Sequence, residues 1–465
     1  MFDFPAWMDE VHIVEMGRNI LDGGSCSILM QPDGSTVKPL YYLGPVLQEL
    51  FFRAFGTLGP RLSSFLGLIA LSLAFRWFLR TTKRYEKSTV TLTTLSAFTM
   101  PLLIQSIRMV RIDCWVIAAG FTVCGLLIQN RAKSAAALAA CTPFLWPSAV
   151  LLFPLYLTIY LERGLRIKDL AAPFFVFLIA SALCILPIAN ILSHSIAAFV
   201  GYYTSVGHSA IGASTFSVGH LIQSNIVLLV KESLRAPFFC LLAAGGLCLA
   251  FKRRKTLVVM FIFSEVLALF SGMHTFRFIY LTPFLMIFAA DAIRLQKKSI
   301  KVIALLAIST GAVGFWTILR PHAIARPDII ELLGEPPRTV LNPDYSTYYS
   351  LRQHGYRQVA IGDAGGYADA NRIAKLLDKC DAVLVKHEDP YAAIEESLTP
   401  YGLLRDYCLS AARQESAKAE KSIPARIGAT FAYGSQPGIS ELVTTRGFTL
   451  RKSATPFSAY TRQLQ

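Results

Sequence analysis

Long apolar segments, separated by short clusters of lysine and arginine, are the feature that most limits how this sequence can fold. A bilayer core about 30 Å thick is crossed by a helix of about 20 apolar residues. Charge is sparse here, since Asp113 is the only acidic residue between Lys87 and Leu161. A soluble core does not explain so many long apolar runs, so the pattern predicts a mainly α, polytopic transmembrane domain. Its candidate spans, about ten in number, lie near 60–79, 89–107, 114–130, 135–147, 148–161, 170–192, 236–251, 256–271, 277–293 and 302–320.

The charge of the chain suits a membrane protein better than a nucleic-acid-binding protein. Of its 465 residues, 54% are hydrophobic and 16% are charged, and the formal net charge is +15. The basic residues form short runs between apolar segments, with no basic patch interleaved with aromatic residues in a soluble segment. We therefore expect no nucleic-acid partner. The runs are Arg80 to Lys87, Arg131 to Lys133, Arg163 to Lys168, Lys252 to Lys255 and Arg294 to Lys301.

If the spans alternate, every basic run falls on one side of the membrane. Cytoplasmic loops carry the excess of Lys and Arg, so this side is expected to be the cytoplasm. Residues 1–58 then form an external first loop, and residues beyond 320 lie outside as well. We expect a multi-pass protein of a bacterial inner membrane, surrounded by membrane lipids, with residues 1–320 as its membrane domain. The aromatic-rich stretch from Leu40 to Phe55 is expected to lie in the membrane interface.

The composition changes from Pro321 onward. Residues 321–465 have dispersed charges and mix two kinds of pattern. The stretches RQVAIGDAGG and DAVLVKHE are typical of short buried strands, and YADANRIAKLLDK is typical of a helix. The length suits one small C-terminal α/β extramembrane domain, expected on the external, periplasmic side.

Asp9, Glu10 and His12 open an amphipathic stretch with apolar residues at helical spacing. A helix N-cap at Asp9, with Glu10 as a favourable charge in the first turn, would explain both acids without any chemistry. Alternatively, the acids face an external cavity. His12 would then be positive only part of the time near neutral pH.

Arg108, Arg111 and Asp113 lie together between two apolar spans, on the side where basic residues are otherwise scarce. Ionisable groups near membrane depth are costly and are commonly functional. The alternative is an interfacial Arg–Asp pair that only anchors the ends of two helices.

Two further cations are expected on the external side. Lys38, in the segment KPLYY, either snorkels to lipid head groups or binds a lipid phosphate as a point charge. Arg277, in HTFRFIYLTP, either anchors a span at the interface or contributes to phosphate binding. Glycosyl transfer from a phosphate leaving group requires both carboxylates and cations on one face. One acid acts as general base, and the cations stabilise charge on the departing phosphate.

The ordered set of motifs resembles the GT-C superfamily of membrane glycosyltransferases, in the branch of protein O-mannosyltransferases and the lipid A aminoarabinose transferase. In that branch an Asp-Glu pair opens the first external loop, a Lys-Pro-Pro-Leu-Tyr-like segment follows, and an Arg-x-Asp motif later begins another span. The matching segments here are Asp9-Glu10, Lys38 to Tyr42 and Arg111 to Asp113. A late Arg-Tyr-Leu-Leu-Pro-like segment is similar to Arg277 to Pro283, and the resemblance covers about residues 5–320.

The resemblance implies a polyprenyl-phosphate-linked sugar donor and an envelope glycan, lipid or protein acceptor. Asp9 would be the prime catalytic carboxylate and Asp113 the second acidic residue of the cavity. The donor and its phosphate would contact a set of polar residues around these acids. Those residues are Glu10, His12, Lys38, Arg108, Arg111 and Arg277.

The chain also departs from the family pattern. The family begins with a transmembrane helix before the Asp-Glu loop, but eight residues precede Asp9 here, so we expect that first helix to be missing from this sequence. Leu40 replaces the second proline, and Phe278 replaces the tyrosine of the late motif, with Tyr280 nearby. The sequence assigns no cofactor. Divalent-metal dependence stays open, because the first acidic segment offers ligand types but no compelling metal spacing.

Two other classes of function stay open. A transporter or flippase of lipid-linked intermediates commonly has paired inverted repeats, which this sequence lacks, and functional charges in mid-span rather than at span ends. A non-catalytic membrane scaffold, with a tail that binds partners, predicts that neutralising Asp9 leaves function intact.

Overall fold

The part of the chain that the structure describes is mainly helical, with a small sheet near the C-terminus. The computed structural model describes residues 8–23, 41–108, 110–164, 167–189, 230, 233, 235–270, 278–319, 328–336, 338–342, 347–360, 377–386, 443–454 and 457–462. Its helices, labelled α1 to α15 in chain order, are Met8–Gly23, Leu43–Phe55, Gly59–Thr81, Lys87–Phe98, Pro101–Arg108, Asp113–Ile128, Ala132–Leu145, Phe153–Glu162, Ala171–Ile185, Pro237–Arg253, Lys255–Phe270, Thr282–Ile293, Lys298–Leu319, Ile329–Leu333 and Tyr348–Gln353.

Helices occupy every apolar segment that the sequence analysis assigned to a span. Tight 3-10 turns extend or join several of them, at Gly56–Leu58, Pro147–Leu152, Ile167–Leu170, Leu186–Ile188 and Ile279–Leu281. The aromatic-rich stretch expected at the membrane interface forms α2. The apolar pattern therefore predicts the helical segments correctly.

Helix length gives a smaller number of membrane spans than the apolar pattern. Among the described residues, two helical stretches are long and apolar enough to cross a membrane, Leu43–Thr81 and Ala171–Ile188. A third joins them if α4 and α5, bent by 57° at their junction, are counted as one span. The apolar helices Asp113–Ile128, Pro147–Glu162 and Ile279–Ile293 are shorter. These lengths are consistent with a membrane protein, and the ten crossings stay a prediction.

Small residues let the helices of the bundle approach closely, as is common in membrane helices. A Cβ atom on Gly125 of α6 would lie 2.1 Å from the ring of Trp77 in α3. Between α10 and α12, a Cβ on Gly246 would lie 1.7 Å from the backbone oxygen of Phe288. One continuous apolar core runs through these helices. Side chains larger than glycine at these positions would push the helices apart.

A five-stranded sheet forms the centre of the C-terminal α/β unit, the name used here for α14, α15 and strands β1 to β5. Its strand order is β2-β1-β3-β5-β4, parallel from β2 to β3 and antiparallel from β3 to β4. Two strands coincide with the predicted stretches RQVAIGDAGG and DAVLVKHE, whereas most of the predicted YADANRIAKLLDK helix lies outside the described residues. The strands are Thr339–Asn342, Arg357–Ala360, Ala382–Lys386, Phe448–Ala454 and Phe457–Arg462.

The C-terminal α/β unit contacts the N-terminal helices. Helix α1 packs on α2, where Gly17 is so close to the backbone oxygen of Pro45 that a Cβ would lie 2.1 Å from it. Val11 and Val14 of α1 pack with Tyr348 and Tyr349 of α15 in one apolar cluster. Helices α1 and α15, from the two ends of the chain, therefore contact each other, and both contact α2.

Candidate functional site

Asp113, one of the predicted acids, is the first residue of α6 and is buried, with 1% of its surface exposed. Its Oδ2 accepts a hydrogen bond from Nε of Arg111 at 2.6 Å, and its Oδ1 accepts one from the Tyr280 hydroxyl at 2.6 Å. A carboxylate is favourable at a helix N-terminus, and a buried charge needs partners of this kind. Arg111, Asp113, Tyr280 and Trp146 are called the Asp113 cluster below.

An aromatic ring lies against the cation of this cluster. Cζ of Arg111 is 5.5 Å from the centroid of the Trp146 ring, within the range of a cation–π contact. Trp146 has an extended backbone at the break between α7 and the turn Pro147–Leu152. The ring of Tyr41 lies 4.7 Å from that of Trp146. The guanidinium is therefore held between a carboxylate and an aromatic face.

Glu10, the second predicted acid with a described side chain, is fully buried. Its Oε1 accepts a hydrogen bond from the Tyr349 hydroxyl at 2.7 Å, and Nη2 of Arg61 lies 3.4 Å from its Oε2. Burial, and then the negative charge of Glu10, raise the pKa of Tyr349 well above its usual value, so this hydroxyl stays a donor at neutral pH. Glu10, Arg61 and Tyr349 are called the Glu10 cluster below.

The first turns of α3 connect the two clusters. Arg61 contacts Glu10, and the hydroxyl of Ser64 donates to the backbone oxygen of Arg111 at 3.1 Å. Gln48 of α2 donates to that hydroxyl at 3.2 Å. Residues three apart on a helix lie about 5–6 Å from each other, on the same face. The acidic N-terminal segment and the Arg111–Asp113 segment, far apart in sequence, therefore meet at the start of α3.

Two more buried acids lie beside the Glu10 cluster, and the sequence analysis did not single them out. Glu15 accepts hydrogen bonds from Arg18 and from the Tyr348 hydroxyl. Glu49 accepts hydrogen bonds from both terminal nitrogens of Arg352, at 2.7 and 2.9 Å. Each acid also has an arginine partner on its own helix, Arg18 for Glu15 and Arg53 for Glu49. Their partners Tyr348 and Arg352 lie more than 300 positions away along the chain, so no local pattern indicates these two contacts.

The predicted site residues are described to different extents. Glu10, Arg111 and Asp113 are brought together as described above, and His12 is half-buried on α1. Asp9 lies in the first turn of α1 and Arg108 ends α5, but both side chains lie outside the described part of the chain. Lys38 and Arg277 lie outside it altogether. Tyr280, which the sequence analysis noted only as a neighbour of Phe278, is the residue of the late motif that reaches Asp113.

A second polar group, the Arg254 cluster, joins the ends of several helices. Arg254 binds both oxygens of Glu162, at 2.8 and 2.6 Å, and Oδ2 of Asp291 at 2.9 Å, while the Tyr85 hydroxyl donates to Oδ1 of Asp291 at 2.8 Å. Tyr280 and Asp291 lie on one stretch of helix, roughly 16 Å apart at about 1.5 Å per residue. The Asp113 and Arg254 clusters therefore lie at opposite ends of an apolar stretch.

The described part of the chain contains no group of three or more His, Cys, Asp or Glu side chains that could hold a metal ion. At Glu10, the carboxylate oxygens face a hydroxyl and a guanidinium, and both are hydrogen-bond donors. A guanidinium beside the acid disfavours a second cation there. The observed surroundings of Glu10 therefore do not fit a metal ligand. Metal dependence through Asp9 stays an open prediction.

Comparisons with known proteins do not assign the chain to a family. No protein-family model matches the chain, and a search of curated proteins finds no match. The resemblance to GT-C enzymes therefore rests on the sequence motifs.

Proposed function

We propose that this protein is a membrane-embedded glycosyltransferase. It moves a sugar from a polyprenyl-phosphate carrier to an envelope glycan, lipid or protein acceptor on the external face of the membrane. The main support is that Glu10, Arg111 and Asp113 meet at the start of α3, although their motifs lie about a hundred residues apart. Tyr280, from the late motif, joins them through Asp113.

The proposed topology has ten spans, with the Asp113 cluster at the external ends of the helices. In this arrangement the Arg254 cluster belongs to the cytoplasmic side, because Tyr85 and Arg254 lie in two of the basic runs expected there. Large apolar side chains on α9, such as Phe175 and Ile179, are 64% and 60% exposed. Lipid acyl chains would cover this surface in a bilayer. The C-terminal α/β unit would then lie in the periplasm.

The proposed chemistry is a substitution at the anomeric carbon of the sugar. Asp9 takes the proton from the acceptor as that oxygen bonds to the anomeric carbon. The bond from this carbon to the carrier phosphate breaks, and its electron pair leaves with the phosphate oxygen. Arg111 stabilises the charge on the departing phosphate. Lys38, Arg108 and Arg277 are proposed to contribute in the same way.

The contacts of Asp113 suggest how it serves this reaction. Both of its oxygens accept hydrogen bonds, from Arg111 and from Tyr280, so its carboxylate fixes the guanidinium rather than an acceptor. A preorganised cation is the more effective one for charge that develops in the transition state. Glu10 and His12 are proposed to lie on the donor side of the same active site.

The experiment is a donor screen with the full-length protein in proteoliposomes. Polyprenyl-phosphate sugars are offered with lipid, glycan and peptide acceptors, and free polyprenyl phosphate is measured by mass spectrometry. We expect release with at least one donor, and its loss in Asp9→Asn. Asp22→Asn is the matched control, because Asp22 is an exposed acid near the other end of α1. If Asp9→Asn and Asp22→Asn retain equal activity, the catalytic assignment of Asp9 is wrong.

A further inference from the structure

Three buried acids of the N-terminal region are each held by one residue of α15, in the C-terminal α/β unit. Tyr349 donates to Glu10, Tyr348 donates to Glu15, and Arg352 binds Glu49 through two nitrogens. None of the three acids is more than 2% exposed. Burying a carboxylate is costly unless hydrogen bonds compensate it. A helix of six residues therefore supplies donors that three acids on α1 and α2 need.

Glu10 contacts Tyr349 of the C-terminal α/β unit and Arg61 of α3, and the contact with Tyr349 is the shorter. The Tyr349 hydroxyl lies 2.7 Å from the carboxylate, whereas the Arg61 nitrogen lies 3.4 Å away. The first distance is that of a strong O–H···O⁻ bond, and the second is beyond the usual range for N–H···O. Of these two contacts, the hydrogen bond from Tyr349 has the stronger geometry.

Helix α1 is also held by packing and, near its other end, by the ion pair of Asp22 with Arg53 of α2. It lies on α2 through Gly17, and Val11 and Val14 pack against the two tyrosines of α15. The ring of Tyr349 also stacks on Phe52 at 5.3 Å, with an interplanar angle of 16°. Packing of this kind sets the distance between the elements. The hydrogen bond from Tyr349 to Glu10 adds a directional contact at the first turn of α1.

We infer that Tyr349 is a positioning residue for the proposed transferase site, and that the C-terminal α/β unit thereby completes this site. Through Glu10, its hydroxyl fixes the first turn of α1, in which Asp9 lies. The inference rests on the proposed function for its effect on catalysis. Its structural part, the fixing of residues 9–13, does not depend on that function.

Tyr349→Phe is the variant that tests this most cleanly, because it removes the hydroxyl and leaves the ring on Phe52. Tyr348→Phe is the matched control. It also removes a hydroxyl from a buried acid on α1, but at Glu15, more than a turn away from Asp9. Each variant loses a hydrogen bond to a buried acid, and Tyr348→Phe also removes an acceptor of Nη1 of Arg352 at 3.3 Å. Tyr348→Phe should therefore lower thermal stability at least as much as Tyr349→Phe.

Turnover separates the two variants. We expect Tyr349→Phe to lower kcat about 10- to 100-fold, the effect of losing one hydrogen bond to a charged group, with the donor KM little changed. Tyr348→Phe should keep kcat within about threefold of the unaltered protein. A double-mutant cycle with Glu10→Gln adds a second test. The combined variant should be no slower than the slower single variant, because both changes break one interaction.

Hydrogen exchange tests the structural part without activity. In Tyr349→Phe, amides of residues 9–13 should exchange faster than in Tyr348→Phe, while those of residues 17–23 should be unchanged. If the unaltered protein consumes no donor, the proposed function fails and the exchange result alone decides the inference. If the protein is active, the inference is overturned by equal kcat in the two tyrosine variants, by additive effects in the cycle, or by equal exchange in residues 9–13.

Discussion

At the scale of single residues, the proposed site depends on buried charged side chains that are held by hydrogen bonds from identified residues. Asp113 is nearly inaccessible, and its two oxygens are held by Arg111 and Tyr280. A buried carboxylate that loses one donor retains its desolvation cost without the compensating bond. Removing a single donor should therefore lower stability substantially. Its effect on activity should differ between the Asp113 cluster and the Arg254 cluster.

Tyr280→Phe removes the hydroxyl that donates to Asp113 and should cost about 1.5–3 kcal/mol of stability. It should also lower turnover, because Asp113 is then held less firmly and orients Arg111 less well. Thermal unfolding in detergent and donor consumption measure the two effects. Tyr85→Phe is the control, since it removes the same group from Asp291 at the other end of the bundle. Equal loss of turnover in both variants would argue that the Asp113 cluster is only structural.

The tyrosines of α15 give the C-terminal contact a pH dependence. Burial and the nearby charges of Glu15 and Glu10 raise the pKa of Tyr348 and Tyr349 well above about 10, the value in an unfolded chain. Their stabilising contribution is complete below about pH 10. It falls as the pH rises from there toward their folded-state pKa, because the unfolded chain loses these protons first. Unfolding measured from pH 8 to 11 should show a shallower alkaline decline in Tyr349→Phe. An unchanged decline would mean that Tyr349 does not titrate as argued.

At the scale of helices and strands, much of the architecture can be predicted from the sequence and some of it cannot. Runs of apolar residues identify the helical segments, and two strands follow from short β-rich stretches. The resemblance to the GT-C motifs also implies that Glu10 and Asp113 share a site. By contrast, Tyr348 and Glu15 lie 333 positions apart, and Arg352 and Glu49 lie 303 apart. Such pairs are set by how the C-terminal α/β unit packs, and one sequence has no local signal for this.

Close helix approach at Gly246 offers a test of the packing between α10 and α12. A Cβ there would lie 1.7 Å from the Phe288 backbone oxygen, so Gly246→Ala must separate the helices. We expect it to lower the thermal midpoint by several degrees, or to prevent folding. Gly245→Ala is the matched control, because a Cβ at Gly245 meets nothing within 4 Å. It should be neutral or stabilising by about 0.5–1 kcal/mol, as alanine favours helix more than glycine. A greater loss in Gly245→Ala than in Gly246→Ala would contradict the described packing.

At the scale of the whole molecule, polar clusters lie at the two ends of an apolar stretch, and the C-terminal α/β unit contacts α1 and α2 through α15. The Arg254 cluster ties together α8, α12 and the loop before α4 through Glu162, Asp291 and Tyr85. Its charges are 12–17% exposed at the side chain and are therefore largely desolvated. We interpret it as the structural end of the bundle, opposite to the proposed site.

Arg254→Gln should destabilise the protein by up to about 3–5 kcal/mol, because it leaves Glu162 and Asp291 largely buried without their shared cation. Activity per folded molecule should change little. Arg163→Gln is the control, as its hydrogen bond to Asn130 is exposed and should contribute less than about 0.5 kcal/mol. Chemical or thermal unfolding in detergent measures both variants. A stable Arg254→Gln protein with lost turnover would place function at this end instead.

The most direct test of the central claim is the stoichiometry of a single turnover in sealed proteoliposomes loaded with one polyprenyl-phosphate sugar and one acceptor. Mass spectrometry counts the free polyprenyl phosphate and the glycosylated acceptor in each compartment. A glycosyltransferase gives one molecule of each for every donor consumed, and Asp9→Asn gives neither. Intact donor that only changes leaflet would contradict transfer and favour a flippase. Donor that neither reacts nor moves would leave the scaffold as the better account.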